Sequence, residues 1–144
     1  MAGRSIAAGG ALVLDSEGLS KLASGDARAR AYLETARARR ARVVVSAITL
    51  TEVLRGGRRD ASVHRVLSRI SVLPVTSDVA RAAGELLGAT GLSGHRCAID
   101  AVVAATALGL VRPVVLLTSD PDDLNRLVEE VDRPKDQRVV VVHG

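Results

Sequence analysis

Five carboxylates have the types and spacing that could do chemistry. Asp15 ends the apolar run GALVLD, and Glu52 opens the helical segment that follows the run ARVVVS. Asp100 stands inside the apolar stretch CAIDAVVAATALGL, while Asp120 and Asp123 follow PVVLLTSD. A bare carboxylate among alanines and valines is costly unless a cation or a helix terminus offsets it. Several carboxylates brought together repel one another and raise each other's pKa values, a poor design for stability alone. It suits a hard cation: Mg²⁺, with Mn²⁺ as substitute, favours oxygen ligands and keeps several waters, whereas zinc favours His and Cys. Each acid also has an innocent explanation. Thr49 and Glu52 fit a capping box, and Asp120 fits an N-cap with Pro121 at the first helical position and Asp123 in the first turn. Asp15 fits a turn residue, and Asp100 a cap on a helix beginning at Ala101. It is their joint placement that resists these readings.

That placement follows from the elements. GALVLD, the run Ala41–Ser46, SVLPV, PVVLLTSD and RVVVVH read as five short strands, apolar enough to be buried. Between them lie helical patterns: SEGLSKLASG ended by Gly25, DARARAYLETARARRAR, ITLTEVLRGG closed by Gly56 and Gly57, and DASVHRVLSRI. SDVARAAGELLGATGL follows with Ser77 as its cap, then the buried helix CAIDAVVAATALGL, and finally PDDLNRLVEEV. Strands alternating with helices imply parallel pairing through right-handed crossovers, hence a three-layer α/β/α sandwich around a mainly parallel sheet of about five strands. In such folds functional groups gather beyond the carboxyl ends of the strands, where four of the acidic positions fall.

The chain has 144 residues, nearly half of them apolar, which fits one domain over 1–144 with residues 1–10 as a flexible extension. Cys97 is the only cysteine, so no internal disulfide forms. The run ALVL is too short for a signal-peptide core or a membrane span, and a cytoplasmic protein is expected. Residues 28–69 hold eleven arginines against Glu34, Glu52 and Asp60, a surplus of +8 that the rest of the chain, at −4, lowers to +4. Such a face draws in a polyanion, and Arg55, Arg58 and Arg59 are candidates for backbone contacts to RNA. Tyr32 is the only aromatic side chain, so base stacking is not the mode of binding. No G-x-S-x-G elbow, Walker A loop or dinucleotide fingerprint is present. His64 and His95 read as surface residues and Cys97 as a small core or helix-start residue.

The segments VLDSEGLSKL, TLTEVLRG, DAVVAATAL and LLTSDPDDL, in that order and across nearly the whole chain, resemble the four motif regions of PIN domains, and in particular the VapC toxins of bacterial toxin-antitoxin pairs. Thr118, Asp120 and Asp123 match the family pattern Thr-x-Asn/Asp-x-x-Asp. The resemblance implies that Asp15, Glu52 and Asp100 bind metal with Asp120 or Asp123 completing the site, and that Ser16 and Thr118 hydrogen-bond within it. It further implies an RNA substrate, a cognate antitoxin protein as partner, and a homodimer. The apolar helices from Asp60 to Leu87 are plausible material for that dimer.

The chemistry such a site supports is phosphodiester hydrolysis, with no protein nucleophile required. Glu52 or Asp100 could orient or deprotonate the attacking water. Three rivals use similar acids. A Mg²⁺-dependent phosphatase usually places two aspartates close together after the first strand, where DSEG stands instead. A phosphoacceptor receiver domain is offered Asp78 but lacks paired N-terminal acids and a late strand-end Lys. A catalytically inactive PIN-like binding module is at odds with the intact acidic set.

Overall fold

The computed structural model describes residues 9–144, in which five parallel strands form one sheet in the order β3-β2-β1-β4-β5. The strands are β1 (Ala11–Leu14), β2 (Arg42–Ser46), β3 (Ser71–Leu73), β4 (Val114–Thr118) and β5 (Val140–His143). Seven helices are described: α1 (Ser16–Ala23), α2 (Ala27–Ala38), α3 (Leu50–Val53), α4 (Ala61–Leu67), α5 (Ser77–Thr90), α6 (Gly94–Leu108) and α7 (Pro121–Leu127). The three-layer α/β/α sandwich expected from the sequence is the observed architecture.

Alternation along the strands builds both faces. Ala11 and Val13 of β1, Val44 of β2 and Val114 and Leu116 of β4 pack against α5, α6 and α7. Leu12 and Leu14, Val45 and Leu117 face the opposite way, against Leu19 and Leu22 of α1, Ala29 and Ala36 of α2 and Val63 of α4. A sheet covered on both sides needs apolar residues at successive positions, which is why its strands read as continuous apolar runs. β1 is central, in register with β2 from Ala11↔Arg42 to Leu14↔Val45 and with β4 from Ala11↔Val114 to Leu14↔Leu117. The carboxyl ends of β1, β2 and β4 therefore lie side by side.

Several element boundaries differ from expectation. β3 stops at Leu73 because Pro74 offers no amide for the ladder. The segment read as one helix through Gly57 is a 3-10 turn, Ala47–Thr49, followed by the single turn of α3. Leu54 is already extended, and the Asp60 carboxylate takes the amides of Arg55 at 2.9 Å and Gly56 at 2.7 Å. Those bonds, with Gly56's amide contributing most, hold the Asp60 carboxyl below its ordinary range. Thr76, not Ser77, caps α5, its hydroxyl accepting from the amide of Val79. α7 ends at Leu127 rather than running to Val131. Of the extension expected over residues 1–10, residues 1–8 lie outside the described residues. Gly9 is buried and Gly10 sits at φ +73°, where a Cβ would stand 1.9 Å from the Pro113 carbonyl oxygen.

Just before β4, Arg112 gathers the end of the chain. Its guanidinium reaches both carboxylate oxygens of Glu130, at 2.6 and 3.3 Å, and the carbonyls of Leu108 and Gln137. Arg133 adds a second ion pair to Glu130 at 3.0 Å. No helix among the described residues is long and apolar enough to cross a membrane.

Candidate active site

Asp15 is the first residue past β1 and caps α1, its Oδ1 accepting from the Gly18 amide at 2.8 Å. It is buried, and burial raises its pKa against the opposing hydrogen bonds from Thr118 and Gly18. The charges of Glu17 and Glu52 push it up further. Ser16 follows as the first residue of α1 and is half-buried.

Asp100 is in the second turn of α6, which begins at Gly94 with Ser93 as its cap, so it does not cap a helix starting at Ala101. Behind it the helix is filled by Ala101, Val103, Ala104 and Ala107, all buried. The Asp100 carboxyl is pushed up to about 6, first by burial and then by the charges of Asp15, Glu52, Asp123 and Asp120. Four acids thus act on Asp100, although the five come from four separate stretches of chain.

The alternative roles for the other acids form only in part: Pro121 opens α7 and Asp123 lies in its first turn, as expected, but the side-chain caps are missing among the described residues. Thr49 has helical backbone angles and makes no side-chain cap among the described residues, so the T-x-x-E capping box is absent and Glu52 is left exposed. Asp120 occupies the N-cap position of α7 with no side-chain cap bond among the described residues. Its amide instead donates to the buried Thr118 hydroxyl at 3.1 Å, turning the chain so that Asp120 and Asp123 follow β4 on the same edge.

Three features near these acids escaped the sequence reading. The Cys97 thiol, one turn before Asp100, donates to Asp123 Oδ2 at 3.7 Å; burial, then the Asp123 carboxylate, raises its pKa. Thr49 Oγ1 and Ser119 Oγ are buried with no hydrogen-bond partner among the described residues, which is unusual unless something else pairs them. Gly18 has no room for a side chain, a point a glycine in the first turn of a helix can signal on its own.

The donors are of the type a hard divalent cation takes: they are all oxygen, and the charges of four of them act on the fifth, Asp100. Among the described residues no three Asp, Glu, His or Cys side chains stand at mutual ligating separation. A different region forms the cleft of about 310 Å³ between α1, α2 and α4, lined by Arg30, Arg37, Arg65 and Arg69 and by none of the five acids. Arg55, just past α3, turns back on it and donates to the carbonyls of Thr51, Glu52 and Leu54; Arg58 and Arg59 are exposed.

The PIN domain family matches the chain over residues 12–130, a span that includes all five acids. This chain belongs to the PIN domain family. Among solved structures, this PIN domain resembles a chain in the crystal structure of VapBC2 from Rickettsia felis bound to a DNA fragment from their promoter. The TM-score is 0.66 at 16% identity, over 93% of this chain and 98% of the other. At that identity the likeness establishes a shared fold. No curated protein matches the chain in sequence.

Proposed function

We propose that this PIN domain is a Mg²⁺-dependent endoribonuclease, with Mn²⁺ as substitute, acting as the toxin of a VapBC-type pair with residues 1–144 as its nuclease unit. The observation that carries the reading is Asp100, a carboxyl inside a buried apolar helix, raised to about 6 by its burial and by four other acids. A protein gains nothing in stability from that arrangement, whereas a divalent cation converts the repulsion into binding.

In this reading Asp15 and Asp100 hold the ion with Asp120 or Asp123, and Glu52 faces the same space. A divalent cation held by these residues would supply a lowered water pKa and stabilisation of charge on the phosphate. Thr118 fixes the turn that carries Asp120 and restrains the Asp15 carboxylate, as outer hydrogen-bond partners do for ligating carboxylates generally. Ser16, next to Asp15 at the start of α1, is a further hydrogen-bonding group. Arg58 and Arg59, exposed on the turn before α4, would neutralise RNA phosphates, while Arg55 serves first as a helix end-cap.

The fold shared with VapBC2 supports an antitoxin as partner. Val72 and Val75, exposed at the edge strand β3 and just beyond it, favour a homodimer through that side.

The test is cleavage of a structured RNA pool by the purified protein with and without Mg²⁺ or Mn²⁺, beside Asp15→Asn and Asp100→Asn, with the cut ends mapped. Metal-dependent cutting lost in both folded variants is the expected result. Full activity in either variant, or phosphomonoester turnover without RNA cleavage, would overturn it.

A further inference from the structure

The third residue of α1 is a buried glycine in a position where a helix ordinarily prefers alanine. Two contacts account for it. The Gly18 amide donates to Asp15 Oδ1 at 2.8 Å, and a Cβ at Gly18 would stand 2.7 Å from the Leu117 carbonyl oxygen and 3.5 Å from that same Oδ1. The Leu117 carbonyl is itself fixed, because it accepts the Asp15 amide at 3.3 Å where the β1–β4 pairing ends. The next residue is Thr118, whose hydroxyl takes the Asp120 amide. One glycine and one carbonyl therefore set how closely the start of α1, with Asp15, approaches the end of β4, with Thr118 and Asp120.

We propose that Gly18 is a positioning residue, whose missing side chain sets the distance between the Asp15 carboxylate and the end of β4 and thereby the grip of the acidic cluster on a divalent cation. The inference rests on the metal-dependent reading of the site. Any side chain at this position forces backbone away from backbone, since the atom it meets is a carbonyl oxygen and not the far end of a flexible side chain. Gly18 lies in ordinary helical backbone, so alanine meets no torsional obstacle and the strain falls on the α1–β4 contact alone. That strain moves the helix start that carries the Asp15 cap. Metal sites tolerate displacements of only about 0.5 Å before affinity is lost.

Gly84 provides the control, since it lies in α5, is exposed, and a Cβ there would meet nothing within 4 Å among the described residues. Mn²⁺ binding to the full chain is measured by titration calorimetry, with circular dichroism to confirm folding. Gly18→Ala is expected to weaken Mn²⁺ binding about 10–100-fold while keeping its folded spectrum, the range seen when ligand-supporting groups are altered. Gly84→Ala is expected to bind as the wild type does. Wild-type affinity in folded Gly18→Ala overturns the inference. The wild type supplies a second measurement that does not depend on the variant folding. In ¹H–¹⁵N spectra a Mg²⁺ titration should move the Gly18 amide resonance with the midpoint of ion binding and leave that of Gly84 in place. An unmoved Gly18 resonance overturns the inference as well. Absence of Mn²⁺ binding by the wild type is a separate failure, that of the metal-dependent reading, and the inference falls with it.

Discussion

Asp100→Asn should make the metal-free protein more stable while destroying its proposed activity. The Asp100 carboxyl rises in the fold from 3.8 to about 6. An acid with a raised pKa binds more protons folded than unfolded, so its effect on stability is nil at low pH, grows unfavourable between about pH 4 and 6, and stays unfavourable above. A rise of about two pKa units corresponds to roughly 3 kcal/mol. Asp100 is only half-buried, and solvent screening reduces this to about 1–2 kcal/mol. Asparagine keeps the shape and removes the charge. For a chain of this size, Asp100→Asn should melt about 3–8 °C above the wild type at pH 7 in EDTA, with most of the difference gone at pH 4. Saturating Mg²⁺ should raise the wild-type Tm and leave that of the variant unchanged. Scanning calorimetry at the two pH values checks this. A variant that melts at or below the wild type at pH 7, or by the same margin at both pH values, would refute the idea that the acids meet at Asp100.

The hydroxyl of Thr118 can be removed at nearly constant shape. Thr118→Val should cost about 1 kcal/mol by urea titration, since it frees the Asp120 amide, and should weaken Mn²⁺ binding about tenfold or more. Arg112→Ala removes the bonds to Glu130, Leu108 and Gln137 and should cost roughly 1–2 kcal/mol by the same method. Arg112 above all holds the Glu130 carboxyl below its ordinary range, so the pair's contribution is present at neutral pH and fades as acid protonates Glu130; the Arg112→Ala deficit should shrink in step. Asp60→Ala releases the amides of Arg55 and Gly56, and trypsin should then cut faster at Arg55, Arg58 and Arg59 without loss of the global fold. If Arg58 and Arg59 meet RNA phosphates, each alanine substitution should flatten the dependence of log K on log salt by about 0.7–0.9 in filter binding, and an unchanged slope would remove them from the interface.

The sheet was readable because burial on both faces demands apolar residues at every strand position, and the runs around Leu12, Val44 and Leu116 meet that demand. Helix ends were less so. The break after α3 depends on the Asp60 side chain closing on amides four and five residues back, a choice no periodicity announces. The five acids were found individually, yet each also fitted a turn or helix-end rule. Only coordinates distinguish a Thr49 that makes no cap from one that does, or an Asp100 in the second turn of α6 from one at its start. The Arg112–Glu130–Arg133 cluster joins residues on either side of β4 and α7, and the Cys97–Asp123 contact joins two helices; neither leaves a local pattern.

β1 is the first strand of the sheet in chain order, yet its neighbour on one side is β4, whose last residue is Thr118. During synthesis Asp15 leaves the ribosome early and waits beside an open strand edge until Val114–Thr118 emerge and pair with it. Until then Asp15 has neither the Leu117 carbonyl nor the Thr118 hydroxyl, and Asp120 and Asp123 have not been translated. A nascent or prematurely terminated chain therefore carries an incomplete carboxylate set. On the proposed reading, the full carboxylate set is assembled only once β4 and α7 have emerged.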